Sequence, residues 1–220
     1  MAIFLLVLIF TEYLPLAVNA KILIEMERTF IKGIRIVFLF LFATTNSFSQ
    51  DNDKIYVCRN GIVNFISDAP LELIKASNNK LAGVLNIADR SFSFQIPVKA
   101  FDGFNSSLQK VHFNEDYLET ELFPNSTFRG RIIEEVDLTI PGSYNVRAKG
   151  KLSIHGVEID RIVRCDLAVT GNNIKVNANF TVFIADHNIS IPSILNQKIA
   201  EEVKVNVSFT FIPSAPSSEN

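Results

Sequence analysis

The sequence predicts an all-β fold, an eight-stranded antiparallel barrel with one or two short helices, preceded by an N-terminal signal segment. From Lys54 onward the apolar residues recur with a period of two, so that each run has one greasy face and one polar face. Turn-forming residues divide these runs into about eight strands joined mostly by hairpins. A meander of that length either closes or leaves strand edges exposed, and eight antiparallel strands close naturally.

The elements follow in order. Residues 1–20, MAIFLLVLIFTEYLPLAVNA, are apolar but have no Lys or Arg before the apolar run, so they lack the charged start of an export signal. Residues 26–49 supply one: Met26, the cations Arg28, Lys32 and Arg35, an apolar run from Ile36 to Ala43, and small residues at Ser47 and Ser49. Translation is therefore expected to begin at Met26, with cleavage after Ser49 and residues 1–25 as an upstream extension. The second apolar run is about half of the ~20 residues that a spanning helix needs. The barrel domain is expected over residues 50–213, and the tail SAPSSEN, 214–220, reads as disordered.

Residues 1–49 hold four of the 21 cations and three of the 23 anions, which leaves 17 against 20 and a net charge near −3. Nothing in that balance attracts nucleic acid or an anionic membrane surface. The two cysteines, Cys58 and Cys165, lack the C-x-x-C and zinc-ribbon spacings. An exported protein permits a disulfide between them, and two buried free thiols are the simpler alternative.

In GSYNVRAKGKLSIHG, residues 142–156, Tyr144, Val146, Ala148, Gly150, Leu152 and Ile154 alternate with polar residues, as in a long half-buried strand. The alternation returns in Phe92, Phe94, Ile96 and Val98, in Ile174, Val176, Ala178, Phe180, Val182 and Ile184, and in Val203, Val205, Val207, Phe209 and Phe211. Turns are expected at SNNK (77–80), ADRS (88–91), PGS (141–143), His155-Gly156 and TGNN (170–173). Two stretches interrupt the meander. In residues 112–130, HFNEDYLETELFPNSTFRG, Asn114 is expected to cap a short helix with Glu115 and Asp116 in its first turn, with Tyr117, Leu118 and Leu122 pointing inward and Pro124 ending it. The middle of residues 187–201 suits another short helix. An eight-stranded barrel is at the size where side chains fill the interior or leave room for one small ligand, and periodicity leaves both open.

The order of elements resembles the YceI-like, or polyisoprenoid-binding, family of exported bacterial proteins. The resemblance rests on GIVNFISDAPLELIKA (61–76), KLAGVLNI (80–87), FSFQIPVKAFDGFNSSLQKVHFNEDYLETELFPNSTFRG (92–130), YNVRAKGKLSIHGV (144–157) and FTVFIADHNISIP (180–192). The chain departs from it at Asn60–Asn64, where many members carry a histidine, and at Ala185-Asp186-His187, in place of an Asp-Phe-Gly-like step. The resemblance implies a lipocalin-like barrel whose apolar tunnel holds an isoprenoid chain, that of an isoprenoid quinone or of another amphiphile, without catalysis. On that reading the tunnel is walled by Phe92, Phe94, Ile96, Phe128, Tyr144, Val146, Leu152, Val176, Phe180, Val182 and Phe209. Residues 101–130 and 187–201 are the candidate lids. No cofactor is expected beyond the lipid, the protein is expected to be periplasmic or secreted, membrane contact serves ligand exchange only, and a homodimer stays open.

Two alternatives belong to other classes. One is a structural or interaction barrel with a solid core. The other is a metal-dependent hydrolase built on His112, His155 and His187 with Glu115 or Asp186, but these come from separate segments without the i, i+4 spacing of H-E-x-x-H. Neither G-x-S-x-G nor a Gly-rich phosphate loop is present.

Overall fold

The computed structural model describes residues 55–214 of the chain. The expected upstream extension, the signal segment and its cleavage point, and the tail beyond Ser214 lie outside the described residues. Eight strands form one closed antiparallel barrel: β1 (Ile55–Asp68), β2 (Leu73–Asn86), β3 (Ser91–Pro97), β4 (Asn125–Ile132), β5 (Gly142–Ile154), β6 (Val157–Thr170), β7 (Asn173–Phe183) and β8 (Glu202–Pro213). Each strand pairs with the next, and β8 returns to β1 with Phe65 opposite Val205 and Val63 opposite Val207. Closure gives every strand a partner on both sides, so none stands as a whole at a sheet edge. Among the described residues, no helix is long and apolar enough to cross a membrane.

Turn chemistry sets most connections. His155 and Gly156 both have positive φ, 51° and 74°, and reverse β5 into β6 within two residues. Gly171, at φ 57°, does the same between β6 and β7. The stretch SNNK is no turn: β2 runs straight through it, and the β1–β2 reversal lies at residues 69–72. Asn78 is 1% exposed inside the wall, where its amide donates to the Pro97 carbonyl (2.8 Å) and its side-chain oxygen accepts from the Lys80 N–H (2.9 Å). A fully bonded amide can be buried at little cost, so the residue type that suggested a turn sits in a strand.

The connection from β3 to β4 also differs from expectation. Helix α1 spans Ser107–His112, capped by Ser106, whose side chain accepts from the Gln109 N–H, and a single wider π-type turn continues it over Phe113–Tyr117. Asn114 therefore lies past the helix instead of starting it, and Glu115 and Asp116 fall near its far end. Leu122 is 70% exposed and does not point inward. Residues 193–195 form the short 3₁₀ turn of the second lid.

The larger of the barrel's two buried clusters closes one end. There Tyr56, Leu85, Val146, Leu167, Ile174 and Phe211 form a buried cluster, against which Val136 and Leu138 of the β4–β5 connection plug the opening. Glu134 ties this plug down by accepting from both the backbone N–H and the Nε of Arg147, each at 2.6 Å. The Arg147 backbone N–H, then its side chain, hold the Glu134 carboxyl below its usual range.

The ladders are not equally complete. Between β6 and β7 it runs from Thr170–Asn173 only as far as Cys165–Ala178. Beyond that rung the two strands are joined by side chains: the Arg161 guanidinium donates to the Thr181 carbonyl, and His187, just past β7, hydrogen-bonds with the Val157 carbonyl at 3.3 Å.

Candidate functional site: an apolar cavity open at one end

Alternation places one face of every strand inside the barrel, and the inward side chains do not meet in the middle. They enclose a cavity of about 600 Å³, within the ~300–1,000 Å³ typical of small-molecule sites. Its deep end is walled by Leu85, Ile132, Val146 and Leu167, all buried. At the other end its wall includes Ser106, Leu108, His112 and Lys198, which are exposed, so the cavity reaches the surface there.

Ten of the eleven residues expected on the tunnel wall line this cavity: Phe92, Phe94, Ile96, Phe128, Val146, Leu152, Val176, Phe180, Val182 and Phe209. Tyr144 is not among the lining residues; it packs against the closed-end cluster and donates its hydroxyl to the Ile140 carbonyl at 2.9 Å. Phe94, Phe128, Phe180 and Phe209 point inward yet are only half-buried. A filled core would cover them.

Aromatic rings shape the wall at two levels. In the middle, Phe94 lies 5.0 Å from Phe209 and 5.6 Å from Phe211, and Phe92 lies 5.0 Å from Phe128. At the mouth, Phe65 of β1 stacks on Phe113 (5.6 Å, 16°) and meets Phe101 and Phe104 at 5.3 and 6.0 Å. Strand periodicity does not reveal this second cluster, because three of its four rings stand in the β3–β4 connection. Their signal is Phe at 101, 104 and 113 in a segment that otherwise reads as polar. Ile189, Ile191, Leu195 and Ile199 complete the cover from the second lid.

Polar groups gather at the mouth. Gln109 donates to Glu72 at 3.0 Å, Asn105 donates to the Leu73 carbonyl at 3.0 Å, and His112 pairs with Asp116 at 2.5 Å. Glu72, Gln109, His112 and Lys198 all touch the cavity.

The other two histidines fasten the lids. His155 Nε2 lies 2.7 Å from Glu119 Oε2, its Nδ1 lies 3.1 Å from the His187 carbonyl, and its ring meets Phe123 edge-on at 4.8 Å. One side chain thus joins the β5–β6 turn to both lids. Gly156 is required beside it, since a Cβ there would stand 2.5 Å from the Phe123 ring. His187 is 2% exposed, and burial pushes its imidazole below the usual pKa. Among the described residues, no three His, Cys, Asp or Glu side chains gather as a metal-ligand set.

Both cysteines are free thiols. Cys58 is buried in the closed-end cluster, while Cys165 lines the cavity, where burial pushes its pKa up to about 11. At pH 8 alkylation of Cys165 is therefore expected to be roughly two hundredfold slower than that of an ordinary thiol. Mass spectrometry of a Cys58→Ser variant treated with iodoacetamide reads this directly, and labelling at the free-thiol rate would show that the wall opens to water.

The family comparisons agree with this architecture. A model of the YceI-like domain matches residues 63–211. No curated protein matches the chain. Among solved structures, the chain is similar to a polyisoprenoid-binding domain from Saccharophagus degradans implicated in plant cell wall breakdown, with 16% identity over 72% of this chain and 98% of that one and a TM-score of 0.62. It is also similar to BcnA of Burkholderia cenocepacia (18% identity, 68% and 95% covered, TM-score 0.56) and to a YCEI protein of Campylobacter jejuni (14%, 63% and 84%, TM-score 0.51). At these identities the likeness shows the fold, whereas the domain match spans strands β1 to β8, and by it the chain belongs to the YceI-like domain family.

Proposed function

We propose that this protein is a non-enzymatic carrier or store for one amphiphile with a polyisoprenoid-like tail, an isoprenoid quinone being one such molecule, acting outside the cytoplasm after export. The observation that carries the reading is the continuous apolar cavity, sealed at the β4–β5 plug and open between the lids. Burial of a hydrocarbon chain contributes ~0.8 kcal/mol per methylene, so a tail alone provides strong binding with few polar contacts. The polar and charged groups at the mouth, Glu72, Gln109, His112 and Lys198, are where a head group would rest. The polyisoprenoid-binding description of the Saccharophagus degradans domain supports the tail chemistry. The ligand, on this reading, is the only small molecule the barrel needs.

Native mass spectrometry of the protein recovered from an exporting bacterium, followed by organic extraction, is the test. The expected result is one long-chain lipid per barrel. A bare protein mass, with nothing extracted, would favour an interaction protein with an empty barrel.

A further inference from the structure

The surface around the mouth is unlike the rest of the barrel. The four most exposed large apolar side chains among the described residues are Ile194 (87%), Leu122 (70%), Leu71 (67%) and Leu108 (61%). All four belong to connections at the open end, not to strand faces. Ile194 stands on the second lid, Leu71 on the β1–β2 turn, Leu108 on α1, and Leu122 on the turn after it. Backbone and side-chain bonds hold the first three segments together: the Leu71 N–H donates to the Gln197 carbonyl at 2.8 Å, and Gln109 of α1 donates to Glu72. Leu108 itself forms part of the cavity wall, so this rim is continuous with the apolar interior.

We infer that the rim docks the barrel, mouth down, on a lipid bilayer. The inference rests on the reading of the cavity as a lipid site. A cargo of that chemistry resides in membranes, and an apolar rim joined to the cavity lets it pass from bilayer to barrel without crossing water. Apolar side chains projecting from turns enter the interfacial layer at little backbone cost, because their segments already carry their own hydrogen bonds. The nearby charges are mixed. Lys110 pairs with Asp102 at 3.1 Å, Lys99 with Glu121 at 2.5 Å, and Glu72 bonds to Gln109. Docking is therefore driven by apolar insertion and depends little on anionic lipid or salt.

The test compares the full chain, as recovered after export, with Leu71→Glu/Ile194→Glu and with Ile140→Glu/Ile162→Glu, which adds the same charge at exposed positions away from the rim. Flotation with phosphatidylcholine vesicles, repeated with 30% phosphatidylglycerol, measures binding, and extraction measures the lipid each variant carries. The expected result is a roughly tenfold lower vesicle-bound fraction for the rim variant alone, with unchanged carried lipid and little effect of phosphatidylglycerol. Equal binding by all three proteins overturns the docking surface, as does a rim-dependent dimer in size-exclusion chromatography with no vesicle binding. Absence of carried lipid from all three proteins would instead overturn the cavity reading on which the inference rests.

Discussion

Replacing Phe180 with Asp is expected to abolish retention of the proposed amphiphile while leaving the barrel folded. Phe180 faces the cavity from β7, opposite Val205, and is only half-buried because part of its ring borders the open space. In an empty barrel a carboxylate at this position keeps its water within the cavity. Once a hydrocarbon chain fills the space, the same carboxylate must be dehydrated without a partner, which costs at least ~1–3 kcal/mol. The lost ring contact with the chain adds about as much again. Affinity should therefore fall by roughly a hundredfold or more, while the thermal midpoint of the unloaded protein moves by only a few degrees. Lipid extraction per mole of protein, with circular dichroism as the folding check, reads both. An unchanged lipid yield from the folded variant would remove Phe180 from the binding wall. Phe94 is a poorer probe, because its ring packs on Phe209 and Phe211 and its loss would damage the wall itself.

Gly150→Val should have the largest effect on stability. Gly150 of β5 lies directly opposite Gly130 of β4, at a level where two inward positions carry no side chain. The strands approach so closely there that a Cβ on Gly150 would stand 2.2 Å from the Arg129 carbonyl oxygen, and one on Gly130 would stand 2.0 Å from that of Lys149. These neighbours are backbone and cannot rotate away. The ladder must open instead, at a cost of about 3 kcal/mol or more, which for a domain of this size is a fall of roughly 10 °C in Tm. Differential scanning calorimetry of the variant checks it. A shift below about 2 °C would mean that the β4–β5 ladder yields far more easily than a barrel wall should.

The strand content and the inward face are legible in the sequence because they depend on a local pattern. A residue two places along a strand returns to the same side whatever the rest of the chain does. For that reason alternation alone puts Phe92, Val146, Val176 and Phe209, from four strands, on one wall. What is not legible is non-local. Asn78 looks like a turn residue, and only the Pro97 carbonyl, which β3 brings alongside, makes it a strand residue. Ser106 and Asn114 are both competent helix caps by type. The choice falls to Ser106 because Phe113 must then reach Phe65 and Phe104. Tyr144 shares its strand face with Val146 but sits one step nearer the plug, where Ile140 claims its hydroxyl. Likewise, nothing in the sequence around His155 announces that Glu119, 36 positions away, will hold it.

The partial ladder between β6 and β7 leaves a stretch of the barrel wall without backbone hydrogen bonds across it. Over most of the wall the strand spacing is fixed by backbone hydrogen bonds, although the β2–β3 ladder is also short, pairing only Ala82–Leu85 with Phe92–Gln95. Along the β6–β7 seam, beyond the Cys165–Ala178 rung, the closure is made by an arginine and a histidine side chain, whose rotamers can change while the paired part of the ladder stays intact. On the proposed lipid-binding reading, a wall of this construction is expected to hold a bulky, methyl-branched chain and a slender one with comparable ease. Its selectivity would then come from how deep the plug lets a tail run, and so from tail length more than tail thickness.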